Sequence, residues 1–197
     1  MELKIPEPKL FENLALAAGT STEGNNINKI FSALLKHLII SDWQGACHES
    51  SACAFVLLSE VGVKSIWAMG EASVNDAFFD HSWIEITTKI NDIAICNPMQ
   101  SKFRNGTVIR GLDIETGQQT TTLYAVSSGL AFDPLTEFVR KRSLTDYLIQ
   151  SPMHPAIGSW ALILKIAKES LGINLDLDVL LKKYDRICYT TKPELIT

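Results

Sequence analysis

Long apolar runs and an excess of one charge are both missing from this sequence. Its opening, Met1-Glu2-Leu3-Lys4-Ile5-Pro6, lacks the uninterrupted hydrophobic stretch that a secretory leader or membrane span needs. A soluble chain that keeps its N-terminus is therefore expected. Eighteen basic against 22 acidic residues leave a formal charge of −4, without the basic surplus of a nucleic-acid grip. Neither nucleic acid nor membrane is expected as a partner. Four cysteines, Cys47, Cys53, Cys96 and Cys188, are too few and too scattered for the disulfide scaffold of a small secreted domain. A reducing compartment, the cytoplasm, is the default that follows, with room left for one disulfide or for export without an N-terminal signal. Repeats and low-complexity blocks are absent as well.

What is present is an ordinary globular composition, 46% hydrophobic over 197 residues, enough for one sizeable core. Leu10, Leu14 and Ala17, then Ile27, Ile30, Leu34 and Leu38, lie at helical spacing on either side of a polar stretch from Thr20 to Asn28. A helix from near Cys47 to before Gly62 carries Ala52, Phe55, Val56, Leu57 and Leu58 on several faces, as a helix inside the fold should. The period then changes. Ser65 to Met69 reads as a short strand, Ser82, Ile84 and Ile86 alternate against His81, Trp83 and Glu85, and Ile93 to Cys96 returns after a turn at Lys89 to Asp92. Gly106 to Gly117 has little periodicity, and Thr120 to Val126 is a further strand candidate. Leu135 to Arg142, Leu144 to Ile149, Ala156 to Leu171 and Leu177 to Tyr184 read as helices. The expected class is α+β, a Cys-bearing helix on an antiparallel sheet. One domain is expected over 1–197, with N-terminal helices at 1–40, a core at 41–130 and a helical extension at 131–197.

The chemistry concentrates between Gly45 and Pro98. A cysteine at a helix start meets unpaired N–H groups and the positive end of the helix, which favour thiolate over thiol, and an imidazole nearby can take the proton. The free amide of Cys47 can also face a developing oxyanion. Gly45-Ala46-Cys47, Phe55, Leu57-Leu58, Gly62 and Gly70, together with the His-x-Trp-x-Glu strand His81-Ser82-Trp83-Ile84-Glu85, resemble the transglutaminase-like branch of the papain-like cysteine enzymes. The resemblance covers about a quarter of the chain. It implies a papain-like, transglutaminase-like core and a triad of Cys47, His81 and a third residue.

In that family an Asp before a Pro usually closes the triad, and the matching position here, sixteen residues after His81, is Asn97 before Pro98. An Asn amide oxygen can accept the imidazole N–H and hold the tautomer, as in papain-like enzymes. Asp92 competes for the role. With the turn placed at Lys89 to Asp92, it stands roughly 16 Å or more from His81 at about 3.3 Å per strand residue, so Asn97 is the expected orienting residue. Gln44 and Trp43, with side-chain N–H donors just before the helix, are candidates for further oxyanion help.

Ordinary structural readings stand beside these. Cys53 and Cys96 read as buried small hydrophobes, Trp83 as packing beside the histidine, His48 as a cleft wall or surface residue, and His37 and His154 as structural or solvent-facing. A zinc site drawn from Cys47, His48, His81 and Cys96 lacks the usual ligand spacing, so no metal and no cofactor is expected. The expected function is a thiol hydrolase, a cysteine peptidase or amidase, acting on a protein, a peptide or a small amide through a thioester. Transglutaminase or protein-glutamine deamidase chemistry through the same acyl-enzyme is the alternative, and a binding module that has lost catalysis is the rival from another class. The oligomeric state is not legible.

Overall fold

The computed structural model describes residues 6–192, so the opening residues 1–5 lie outside it. Two helices, α1 (Glu7–Ala18) and α2 (Thr22–Ile40), open the fold. The Ser21 hydroxyl accepts from the Gly24 amide and caps α2. That cap starts α2 inside the stretch read as a spacer, and the expected apolar stripe, Ile27, Ile30, Leu34 and Leu38, is buried on it. Helix α3 (Cys47–Glu60) is buried on most of its circumference, as its apolar residues on several faces require, and the chain leaves it through Gly62 at φ 75°.

The main sheet is built on one long hairpin. Strand β1 (Ile66–Val74) runs on past the expected end at Met69, and β2 (Ala77–Ile86) returns antiparallel through Asn75-Asp76, both at positive φ. Strand β3 (Lys89–Asn91) pairs only with Ile84 to Ile86 of β2. Ile93 to Cys96 is not a strand, because the chain curls into a 3-10 turn at Ala94–Cys96. The glycine-bearing stretch forms a small sheet of β4 (Val108–Ile109), β5 (Leu112–Asp113) and β6 (Gln118–Gln119). Strand β7 (Leu123–Val126) then pairs with β1 on the edge opposite β2.

Helices α4 (Pro134–Arg140), α5 (Leu144–Ile149), α6 (Trp160–Ile166) and α7 (Leu177–Tyr184) follow, with α6 continued by a wider turn to Leu171. A last strand without sequence signal, β8 (Thr190–Lys192), lies parallel to β1 at Ala68 to Gly70.

The architecture is α+β. Pairing fixes what each sheet face carries. Trp67 and Met69 stand opposite Ile84 and Ser82 on the α3 face, where Trp67 Nε1 donates to Ser51 Oγ at 3.0 Å. Ala68, Gly70 and Ala72 stand opposite Trp83, His81 and Phe79 on the other. One apolar cluster includes Leu14, Leu34, Val56, Trp67, Trp160 and Tyr184, so the N-terminal and C-terminal helices share a core with α3.

Candidate functional site

The approach to α3 is held by two contacts with Asn97, just after the 3-10 turn that follows β3. The Gly45 amide donates to the Asn97 carbonyl at 3.0 Å, and Asn97 Nδ2 donates to Asp42 Oδ1 at 3.2 Å. Gly45 turns the chain at φ 65°, where a β-carbon is strained, and Cys47 follows two residues later as the first residue of the helix. Ala46 at the cap offers no side-chain acceptor, so no side chain caps the first turn. All four cysteines are free thiols. Cys53 and Cys96 are buried, Cys188 is exposed and Cys47 is half-buried.

His81 lies on the stretch of β2 beyond its pairing with β3, and it lines one cleft with Cys47, whose side chain is near enough to act on its charge. On its other side Nε2 is 2.6 Å from Asp92 Oδ2. The Tyr124 hydroxyl donates to the same Oδ2 at 2.8 Å, while Asp92 Oδ1 accepts the amides of Ala94 at 3.0 Å and Ile95 at 3.2 Å. A carboxylate receiving this set of donors is held as an acceptor, so Nε2 carries its hydrogen toward Asp92 and Nδ1 remains for the thiol. Burial works against charge on His81, but Asp92 and Cys47 outweigh it and hold the imidazole up at about 10. Burial and Asp92 push the Tyr124 hydroxyl well above its ordinary range, which keeps it a donor.

These contacts correct the expected third residue. Asp92, placed out of reach by the sequence reading, touches His81, and Asn97 braces the approach to α3 instead. The reason is the turn. Thr87 and Thr88, both at positive φ, form the two-residue turn, so Ile84 pairs with Asn91 and Asp92 falls opposite Trp83, one diagonal step from His81 on the same face. Thr-Thr is not the Asn-Gly type of pair that advertises such a turn.

The oxyanion candidates also move. Trp43 packs edge-on against His37, with ring centroids 5.5 Å apart, and both Trp43 and Gln44 line a neighbouring groove, outside the lining of the cleft that holds Cys47 and His81.

That cleft is open to solvent and has a cavity volume of about 180 Å³. Phe79, Met99, Phe103 and Leu135 supply apolar walls, and Asp80 and Asp133 an acidic side. None of these, nor Tyr124, was singled out from sequence. They meet only through the β1 hairpin and the entry to α4, and an apolar residue at a strand or helix position carries no separate mark. His48 is a buried cleft wall, its Nδ1 2.6 Å from Ser82 Oγ and its Nε2 3.2 Å from Thr136 Oγ1. Burial, reinforced by the charge of His81, pulls it down to about 4, so it is neutral. Trp83 is fully buried, its ring edge-on to Tyr124 with centroids 5.2 Å apart, as the packing reading expected.

Among the described residues no group of three or more His, Cys, Asp or Glu side chains is placed to hold a metal ion, and no helix is long and apolar enough to cross a membrane. Comparison of the chain with models of known families, with curated proteins and with solved structures finds no match in any of the three.

Proposed function

We propose that the protein is a cysteine acyl-transfer enzyme with a papain-like, transglutaminase-like core, working as a thiol hydrolase on amide bonds through Cys47, His81 and Asp92. The observation that carries this reading is a half-buried thiol at a helix start sharing one cleft with an imidazole, which is in turn bonded to a carboxylate whose remaining acceptor positions are filled by Tyr124 and two backbone amides. That open cleft gives an acyl group somewhere to sit.

Cys47 Sγ attacks the amide carbonyl as thiolate, and the oxygen takes up charge against the Cys47 amide in the uncapped first turn. His81 holds the proton at Nδ1 and gives it to the departing nitrogen as the C–N bond breaks, leaving a thioester. Water then adds to the thioester, His81 takes its proton, and the C–S bond breaks to return the thiol and a carboxylic acid. Asp92 holds the ring by its Nε2–H and balances the imidazolium. An amine in place of water gives transamidation, and water acting after a glutamine side chain has lost ammonia gives deamidation. The same three side chains serve all three outcomes. The inactive-module alternative drew on an Asn as the third residue, and the carboxylate at Asp92 removes that support.

Cys47→Ala and His81→Ala are each expected to abolish turnover of an acyl substrate and formation of a hydroxylamine-labile adduct, with the adduct mapping to the peptide that carries Cys47. Full turnover in either variant overturns the assignment.

A further inference from the structure

A second groove begins where the cleft ends. Gly45, His48 and Leu135 line both, and the second continues between the approach to α3 and helices α4 and α5, with a cavity volume of about 330 Å³. Trp43, Phe138 and Tyr147 give it apolar walls, and the exposed amides of Gln44 and Gln150 stand along it. The second groove alone reaches the volume of a small-ligand pocket, and the two joined exceed what a simple amide occupies. Amides and aromatic faces along one groove suit a peptide backbone, which needs both hydrogen-bond partners and apolar contact.

We infer that the substrate is a polypeptide segment lying across Cys47, with its acyl side in the second groove and its leaving side in the cleft beside His81. This deepens the acyl-transfer reading and rests on it. The direction follows from the proton. The group that expels the amine delivers its hydrogen on the amine's side of the scissile bond, and His81 lines the cleft with Phe79 and Phe103, not the second groove. The acyl portion runs the other way, past Gly45 and Ala46. Gly45 presents no side chain between the grooves, and a β-carbon there would meet Met99 Cγ at 2.6 Å. Trp43 and Gln44 thus bind the acyl-side chain and do not contact the oxyanion.

The test uses acyloxymethyl ketones, from which a thiolate displaces the acyloxy group as a carboxylate and becomes a thioether. An acetyl-tetrapeptidyl library is compared with acetyl single-residue ketones on the full chain, with iodoacetamide as the small reagent and labelling read at Cys47 by peptide mapping. Extension is expected to accelerate labelling by about tenfold or more, equivalent to roughly 1.4 kcal/mol of binding. Gln150→Ala and Phe138→Ala should each remove most of that acceleration while the iodoacetamide rate moves less than about twofold. Met99→Ala, in the cleft, should leave the acceleration in place. Gln150 is exposed, so its variant keeps the test sound should Phe138→Ala fail to fold. No gain from extension, or a gain indifferent to the second groove, overturns the groove assignment alone. Failure of every reagent to label Cys47 ahead of Cys188 overturns the acyl-transfer reading together with it.

Discussion

Asp92 and Asn97 are both nearly fully buried, and their environments separate their roles. Asp92 receives His81, Tyr124 and two amides, whereas Asn97 uses its side chain on Asp42 and its carbonyl on Gly45. Asp92→Asn keeps the size but removes the charge that balances the imidazolium, and its amide group can turn an N–H toward the ring. A loss of about 10²- to 10⁴-fold in acylation rate is expected, on the scale of general acid–base catalysis. Asn97→Ala removes a loop contact, so thermal stability should fall while the rate per folded molecule stays within about tenfold. Measuring both variants against one acyl substrate checks the pair, and the reverse ranking would restore Asn97 to the site. The sequence placed Cys47 at a helix start and His81 on a strand, as found, because an all-round apolar helix and an alternating strand both leave periodic marks. It misplaced Asp92 because Thr87-Thr88 is an unadvertised turn, and sheet register is unforgiving of a shifted turn.

At the scale of elements, one face of β1 carries small residues, Ala68, Gly70 and Ala72, opposite the large Trp83, His81 and Phe79. Gly70 lies opposite His81, and a β-carbon there would sit 2.0 Å from the Lys192 carbonyl oxygen of β8 and 3.3 Å from Trp83. The first contact is with backbone, so it cannot be relieved by a side-chain rotation. Gly70→Ala is expected to cost about 1–3 kcal/mol, the range for overpacking, and to release β8, read as a lower unfolding midpoint with faster amide exchange at Thr190 to Lys192. Unchanged exchange there would show that β8 docks independently of Gly70. Helix α3 was legible from its all-round apolar pattern and Gly62, and α5 and α7 from the breaks at Ser151-Pro152, Pro155 and Gly172 that set the C-terminal helices apart. β8 was not, because three residues of Thr-Thr-Lys have neither apolar alternation nor a turn signal and are placed by tertiary pairing.

For the whole molecule, two buried imidazoles oppose one another in pH. His48 is depressed to about 4 from 6.5, so its contribution is fully present above pH 6.5 and is lost as pH falls through about 4. The shift corresponds to about 3 kcal/mol. His81 is raised to about 10, so its contribution is fully present below pH 6.5 and declines as pH rises through about 10. Denaturant unfolding across pH is expected to show His48→Gln with a flatter acid limb between pH 6.5 and 4 and His81→Gln with a flatter limb above 6.5. Curves parallel to the unsubstituted protein in those windows would contradict the burial of either ring. The C-terminal third was legible as helices, but its part in the site was not. Asp133 and Leu135 reach the cleft, and Thr136 reaches His48, only because the start of α4 comes back to the start of α3 across a long sequence separation.

The coupling of Cys47 to His81 is tested most directly by the alkylation rate of each thiol at pH 6, with peptide mapping in the unsubstituted protein and in His81→Asn. The exposed Cys188 in the same molecule is the internal reference. A thiol paired with a charged imidazole should react about tenfold or more faster than Cys188, and His81→Asn should erase that advantage while the Cys188 rate holds. Equal rates for the two thiols in the unsubstituted protein, or an advantage that survives His81→Asn, would contradict the account.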